Sequence, residues 1–127
     1  MKKIVHTDKA PEAIGPYSQA VIDPNSGLVF TAGQIAIDPS TGEIVSGDVA
    51  DQARQVFENL QNVLQAAGID FGNVLKATVF LKNMDDFTRV NEVYSQYFKR
   101  DFPARSAVEV ARLPRDVLLE IEMIAHV

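Results

Sequence analysis

The chain has 127 residues and a formal charge of −5, from 17 acidic and 12 basic residues, with no cysteine, which suits one core-forming domain without disulfides or a thiol nucleophile. An acidic balance works against duplex nucleic acid, whose binding relies on neutralising phosphates, and the nearest basic pair, Lys99-Arg100, is followed at once by Asp101. His6 and His126 lie at opposite ends, which excludes a histidine-rich metal site and makes a Ser-His-Asp triad depend on a terminal residue. No run of residues is long and apolar enough for a membrane span, and Met1 to His6 lack the apolar stretch of a signal peptide, so cytoplasm is the expected compartment.

Residues 17–23 and 28–32 read as two strands around Asp23-Pro24-Asn25-Ser26-Gly27, where proline fixes φ and glycine or asparagine accepts φ > 0. A second turn follows at Asp38-Pro39-Ser40-Thr41-Gly42. Asp48 then reads as the N-cap of a helix. Val49, Ala53, Val56, Phe57, Leu60, Val63, Leu64 and Ala67 recur at three- and four-residue steps, and Gly68 supplies the stop. Residues 74–81 form a largely apolar strand. A second helix is expected from near Asp85, with Phe87, Val90, Tyr94, Tyr97 and Phe98 on its buried side.

The stretch from Phe102 to Pro114 reads as a buried strand with an arginine at its entrance. Arg105 alternates with Val108 and Val110 and shares a face with Ala107, Glu109 and Ala111. Small neighbours leave room for a guanidinium, whose planar fork suits a carboxylate; an internal ion pair to Glu109 or to a carboxylate on another strand is the alternative. The last strand, over residues 117–125, puts Leu119, Ile121, Met123 and Ala125 on one face and Glu120 and Glu122 on the other. The order strand, strand, helix, strand, helix, strand, strand predicts an α+β fold, one sheet with two helices on one face. Its uncovered face is expected to carry Thr78, Phe80, Arg105 and Glu120 and to pair with other subunits, with a ligand site at the seam.

Several blocks in order, Ala13-Ile14-Gly15-Pro16-Tyr17-Ser18-Gln19, Ala32-Gly33-Gln34-Ile35, Val90-Asn91, Phe102 to Ser106, Leu113-Pro114 and Glu120-Ile121, resemble the Rid (YjgF) family of reactive-intermediate deaminases. The resemblance runs from about residue 5 to the end. It implies a chorismate-mutase-like single domain over residues 1–127, with a mixed sheet, assembled as a homotrimer with clefts between subunits. It implies hydrolysis of enamines and imines such as 2-aminoacrylate and 2-iminopropanoate to 2-oxo acids and ammonia, with no cofactor and no metal. By the same resemblance Arg105 binds the substrate carboxylate, Glu120 positions the hydrolytic water, Tyr17 lines the cleft, Asn91 lies near it and Gly33 shapes it. Ala32 and Ala107 stand where many members carry serine and cysteine, which implies a shift in substrate preference with the reaction retained.

The chemistry of these residue types agrees. An imino acid offers a carboxylate for Arg105 and an electrophilic carbon for a water held and deprotonated by Glu120. Two other functions compete: a module that senses a 2-oxo acid or amino-acid derivative, and a translation-inhibiting ribonuclease, the latter at odds with the acidic balance and the lack of an internal histidine.

Overall fold

A computed structural model describes all 127 residues. Eight main elements follow one another: β1 (Lys3–Val5), β2 (Ala20–Asp23), β3 (Leu28–Thr31), α1 (Val49–Ala66), β4 (Val74–Leu81), α2 (Phe87–Tyr97), β5 (Ala104–Glu109) and β6 (Leu119–His126). The sheet order is β1-β2-β3-β6-β4-β5, and only β4 and β5 run parallel. That parallel pair needs a crossover, which α2 supplies.

The expected helices form for the expected reasons. Asp48 caps α1, accepting from the Asp51 N–H while the Asp51 carboxylate accepts from the Asp48 N–H. Gly68 (φ +82°) ends the helix, with the Ile69 N–H returning to the Leu64 carbonyl. Asp48 also accepts from Arg89 Nη2 at 2.7 Å, tying the start of α1 to α2. This bond, with the capping N–H, holds the Asp48 carboxyl down at about 2. The second helix begins two residues later than expected, because residues 84–86 form a 3₁₀ turn capped by Asn83.

Ala77, Val79 and Leu81 of β4 and Leu119, Ile121, Met123 and Ala125 of β6 are buried beneath Val56, Phe57, Leu60 and Leu64 of α1 and Val90 and Tyr94 of α2. Phe57 is the hub, stacked on Tyr97 and edge-on to Phe71, Tyr94 and Phe98. Both helices cover this one face. The opposite face carries Phe30, Thr78, Phe80, Glu120, Glu122 and Ile124, half-buried or exposed.

Three expectations are corrected. β1 was not foreseen, because three residues with only Val5 buried carry almost no pattern. The Arg105 strand is not buried; it is an edge strand whose residues are exposed apart from half-buried Ala107. Nor does Arg105 lie on the open face with Glu120. The register pairs Arg105 with Ala77 and Ala107 with Val79, so Arg105 takes the helix side, whereas Glu120 opposite Phe80 takes the open side.

Candidate active site

Tyr17, Ala32, Gly33 and Glu120 come together, with Gln34, around a groove of about 410 Å³ walled by Ile14, Ile35, Ile37 and Pro114. The loop after β3 reaches it because Gln34 extends the sheet: its N–H donates to the Ile121 carbonyl at 2.9 Å, and the Ile121 N–H returns to the Gln34 carbonyl at 3.2 Å. Gly33 is thereby laid against Glu120. A Cβ on Gly33 would stand 2.7 Å from the Glu120 Cδ and overlap a carboxylate oxygen, so only glycine lets the carboxylate occupy this place.

Buried amides fix both walls. Asn59 on α1 donates to the carbonyls of Ile35 and Ile37 at 3.1 and 2.9 Å, and Gln52 accepts from the Leu118 N–H at 2.9 Å, just before Glu120. Gln19 accepts from the Thr7 N–H and donates to the carbonyls of Thr7 and Pro11, holding the N-terminal segment beside the groove. Orphaned inside the protein, each of these amides would cost about 1–3 kcal/mol. Sequence reasoning missed their roles; for Gln52 and Asn59 the signal was polar residues on the apolar stripe of α1.

Glu120 has no ion-pair partner. Burial pushes its carboxyl above the usual carboxylate range, and the nearby charge of Glu122 adds to the rise. The proton affinity of this group therefore moves toward that of a useful general base.

Arg105 and Asn91 meet in a second recess of about 530 Å³, shared with Tyr94, Ser95, Phe102 and Pro103. Arg105 Nη1 donates to Asn91 Oδ1 at 2.6 Å. Its Cζ lies 4.7 Å from the centre of the Tyr94 ring and 5.2 Å from that of Phe87. The internal ion pair is absent, since Glu109 instead accepts from the Met84 N–H at 2.9 Å. Ala107 shares the Arg105 face but lines neither recess. The site residues thus fall into two groups on opposite faces of the sheet, an acidic groove and a cationic recess. No three His, Cys, Asp or Glu side chains gather as a metal-binding group, and no helix is long and apolar enough to cross a membrane.

Residues 7–127 match the family described as Endoribonuclease L-PSP. A RutC family protein of Pyrococcus horikoshii is 57% identical over 126 residues, covering 99% of this chain and 98% of that protein. The human 2-iminobutanoate/2-iminopropanoate deaminase is 50% identical over 125 residues, covering 98% of this chain and 90% of the human one. The chain belongs to the Rid (YjgF) family. Among solved structures, a Rid-family protein of Yersinia pestis superposes with a TM-score of 0.96 at 45% identity, covering 100% of both chains. E. coli TdcF with bound serine gives 0.91 at 51% identity, covering 98% of each chain. The mixed sheet and paired helices are those of the family, as the sequence blocks implied.

Proposed function

We propose that the protein hydrolyses 2-imino acids, and enamines after their tautomerisation, to 2-oxo acids and ammonia, and that residues 1–127 act as one cytoplasmic domain assembled into homotrimers. The observation that carries this reading is the division of the site. An unneutralised Arg105 and a proton-hungry Glu120 face opposite sides of one sheet, so a second copy must bring one group to the other. Exposed Phe30 and Val108, with Phe80 and Ile124 on the open face, offer apolar surface for that contact.

In such a cleft Arg105 holds the substrate carboxylate through paired charge-assisted bonds. Glu120 accepts a proton from water as the water oxygen bonds to C2 and the C=N electron pair moves to nitrogen, and it returns that proton to nitrogen, giving a neutral carbinolamine. The carboxylate then takes the carbinolamine hydroxyl proton and passes it to nitrogen, so the C=O forms as the C–N bond breaks and ammonia leaves. The Tyr17 phenol borders the groove, where it can hydrogen-bond the water or the departing nitrogen. Ala32 and the isoleucines make part of the wall apolar, suited to an aliphatic side chain. No cofactor enters these steps.

The human relative's name supports the reaction, and serine bound to TdcF supports a small carboxylate ligand in this fold. The serine complex also favours a second reading, a ligand-sensing module. RNA cleavage gains less support, since the groove offers Glu12 and Glu120 and the recess a single cation, Arg105. The test generates an imino acid in situ with an amino-acid oxidase and follows its conversion to the 2-oxo acid. Wild-type protein is expected to accelerate conversion, and Arg105→Ala and Glu120→Ala each to lose roughly a hundred- to ten-thousand-fold. Binding of 2-oxobutanoate without turnover would favour the sensing module instead.

A further inference from the structure

Phe87, Asn91 and Tyr94 fall at i, i+4 and i+7 along α2, on the stripe that meets β5. Arg105 contacts all three: two ring faces at 5.2 and 4.7 Å and one amide oxygen at 2.6 Å. Arginines are often oriented by carboxylates, which grip the guanidinium but also cancel its charge. Every partner here is neutral, and Glu109, the acid on the same face of the strand, is occupied with the Met84 N–H. Asn91 takes one bond from Nη1, which leaves Nε and Nη2 without a partner in the chain. The Tyr94 hydroxyl is buried with no hydrogen-bond partner, so the contribution of this residue to Arg105 is its ring face.

We propose that Phe87, Asn91 and Tyr94 form a neutral seat that orients the Arg105 guanidinium while leaving its whole charge for a ligand carboxylate. They are positioning residues. Quadrupole attraction from two rings fixes the plane of the guanidinium, and the amide fixes its rotation within that plane. The free Nε–Nη2 edge then meets the carboxylate without first breaking an ion pair. The proposal rests on the reading of Arg105 as the carboxylate anchor.

The decisive variant is Asn91→Asp, nearly isosteric and half-exposed, which keeps the hydrogen bond and adds the competing charge. Calorimetric titration of the assembled protein with 2-oxobutanoate, alongside thermal melting, reads both consequences. Asn91→Asp is expected to weaken binding about tenfold or more, with the melting temperature unchanged or raised. Tyr94→Leu is expected to weaken binding roughly tenfold, and Tyr94→Phe, which keeps the ring, to restore most of it. Arginine side-chain NMR reports the seat without any ligand: restricted rotation of the Arg105 guanidinium in wild type, freed in Tyr94→Leu but not in Tyr94→Phe. Wild-type affinity in Asn91→Asp together with its loss in Arg105→Ala overturns the seat and leaves the anchor standing. Wild-type affinity in both variants overturns the anchor, and the seat with it.

Discussion

The two recesses handle charge in opposite ways. Around Arg105 the protein gathers neutral partners, so the cation is oriented but not neutralised. Around Glu120 it removes water and sets a second acid nearby, so the anion is disfavoured and proton affinity rises. The first arrangement prepares a binder of fixed charge, the second a group that changes its protonation. A reaction that must hold a carboxylate still while moving protons at the adjacent carbon needs both. One sheet supplies them from its two faces.

Breaking the placement of the acid is expected to have the largest effect. Gly33→Ala puts a methyl group onto the Glu120 carboxylate, and deaminase activity should fall roughly a hundredfold or more, approaching the loss in Glu120→Ala, while the fold and the Arg105 recess persist. Steady-state rates together with 2-oxobutanoate affinity check this, since affinity should change far less than rate.

A smaller change sharpens the comparison. Glu120 must be ionised to take a proton from water, so activity should fall as pH drops through its raised pKa. Glu122→Gln removes a negative neighbour, favours the carboxylate, and should move the acidic limb of the pH–rate profile to lower pH with little change at the plateau. An unmoved limb would assign the titration to another group.

The smallest expected effect is on stability. Because the folded-state pKa of Glu120 is raised, the folded protein binds the proton more tightly than the unfolded chain, and stability declines as pH rises from the unfolded toward the folded value. Glu120→Gln should therefore melt slightly higher than wild type near neutrality. The difference should vanish at pH below both values.

Much of this was legible in the sequence where periodicity was long and one-sided. The apolar steps from Val49 to Leu64 with Asp48 and Gly68 at the ends specified α1, and the alternation from Leu119 to Ala125 specified β6, with Glu120 on the uncovered face. The groove was legible in part, since Gly33 and Glu120 were named but their contact, through the Gln34–Ile121 bridge, joins residues far apart in sequence. Arg105 was put on the wrong face for a physical reason. Val108 looked like the inward residue of its strand, yet parallel pairing with β4 turns Arg105 and Ala107 toward α2 and leaves Val108 43% exposed. A six-residue edge strand has too little burial to announce its inner side. Phe87 and Tyr94 were read as core. Their second role, as the floor under Arg105, depends on where α2 crosses the sheet edge.

The claim that each site is completed between subunits is tested most directly by mixing two inactive variants. Arg105→Ala and Glu120→Ala proteins would be unfolded together in equal amounts, refolded into mixed oligomers and assayed for imine hydrolysis. If Arg105 and Glu120 come from different subunits, about a quarter of the clefts in randomly mixed oligomers hold both wild-type groups, and about a quarter of wild-type activity should return. No recovery above the separate variants, in oligomers shown to be mixed, would mean that one chain supplies both groups and would contradict the account.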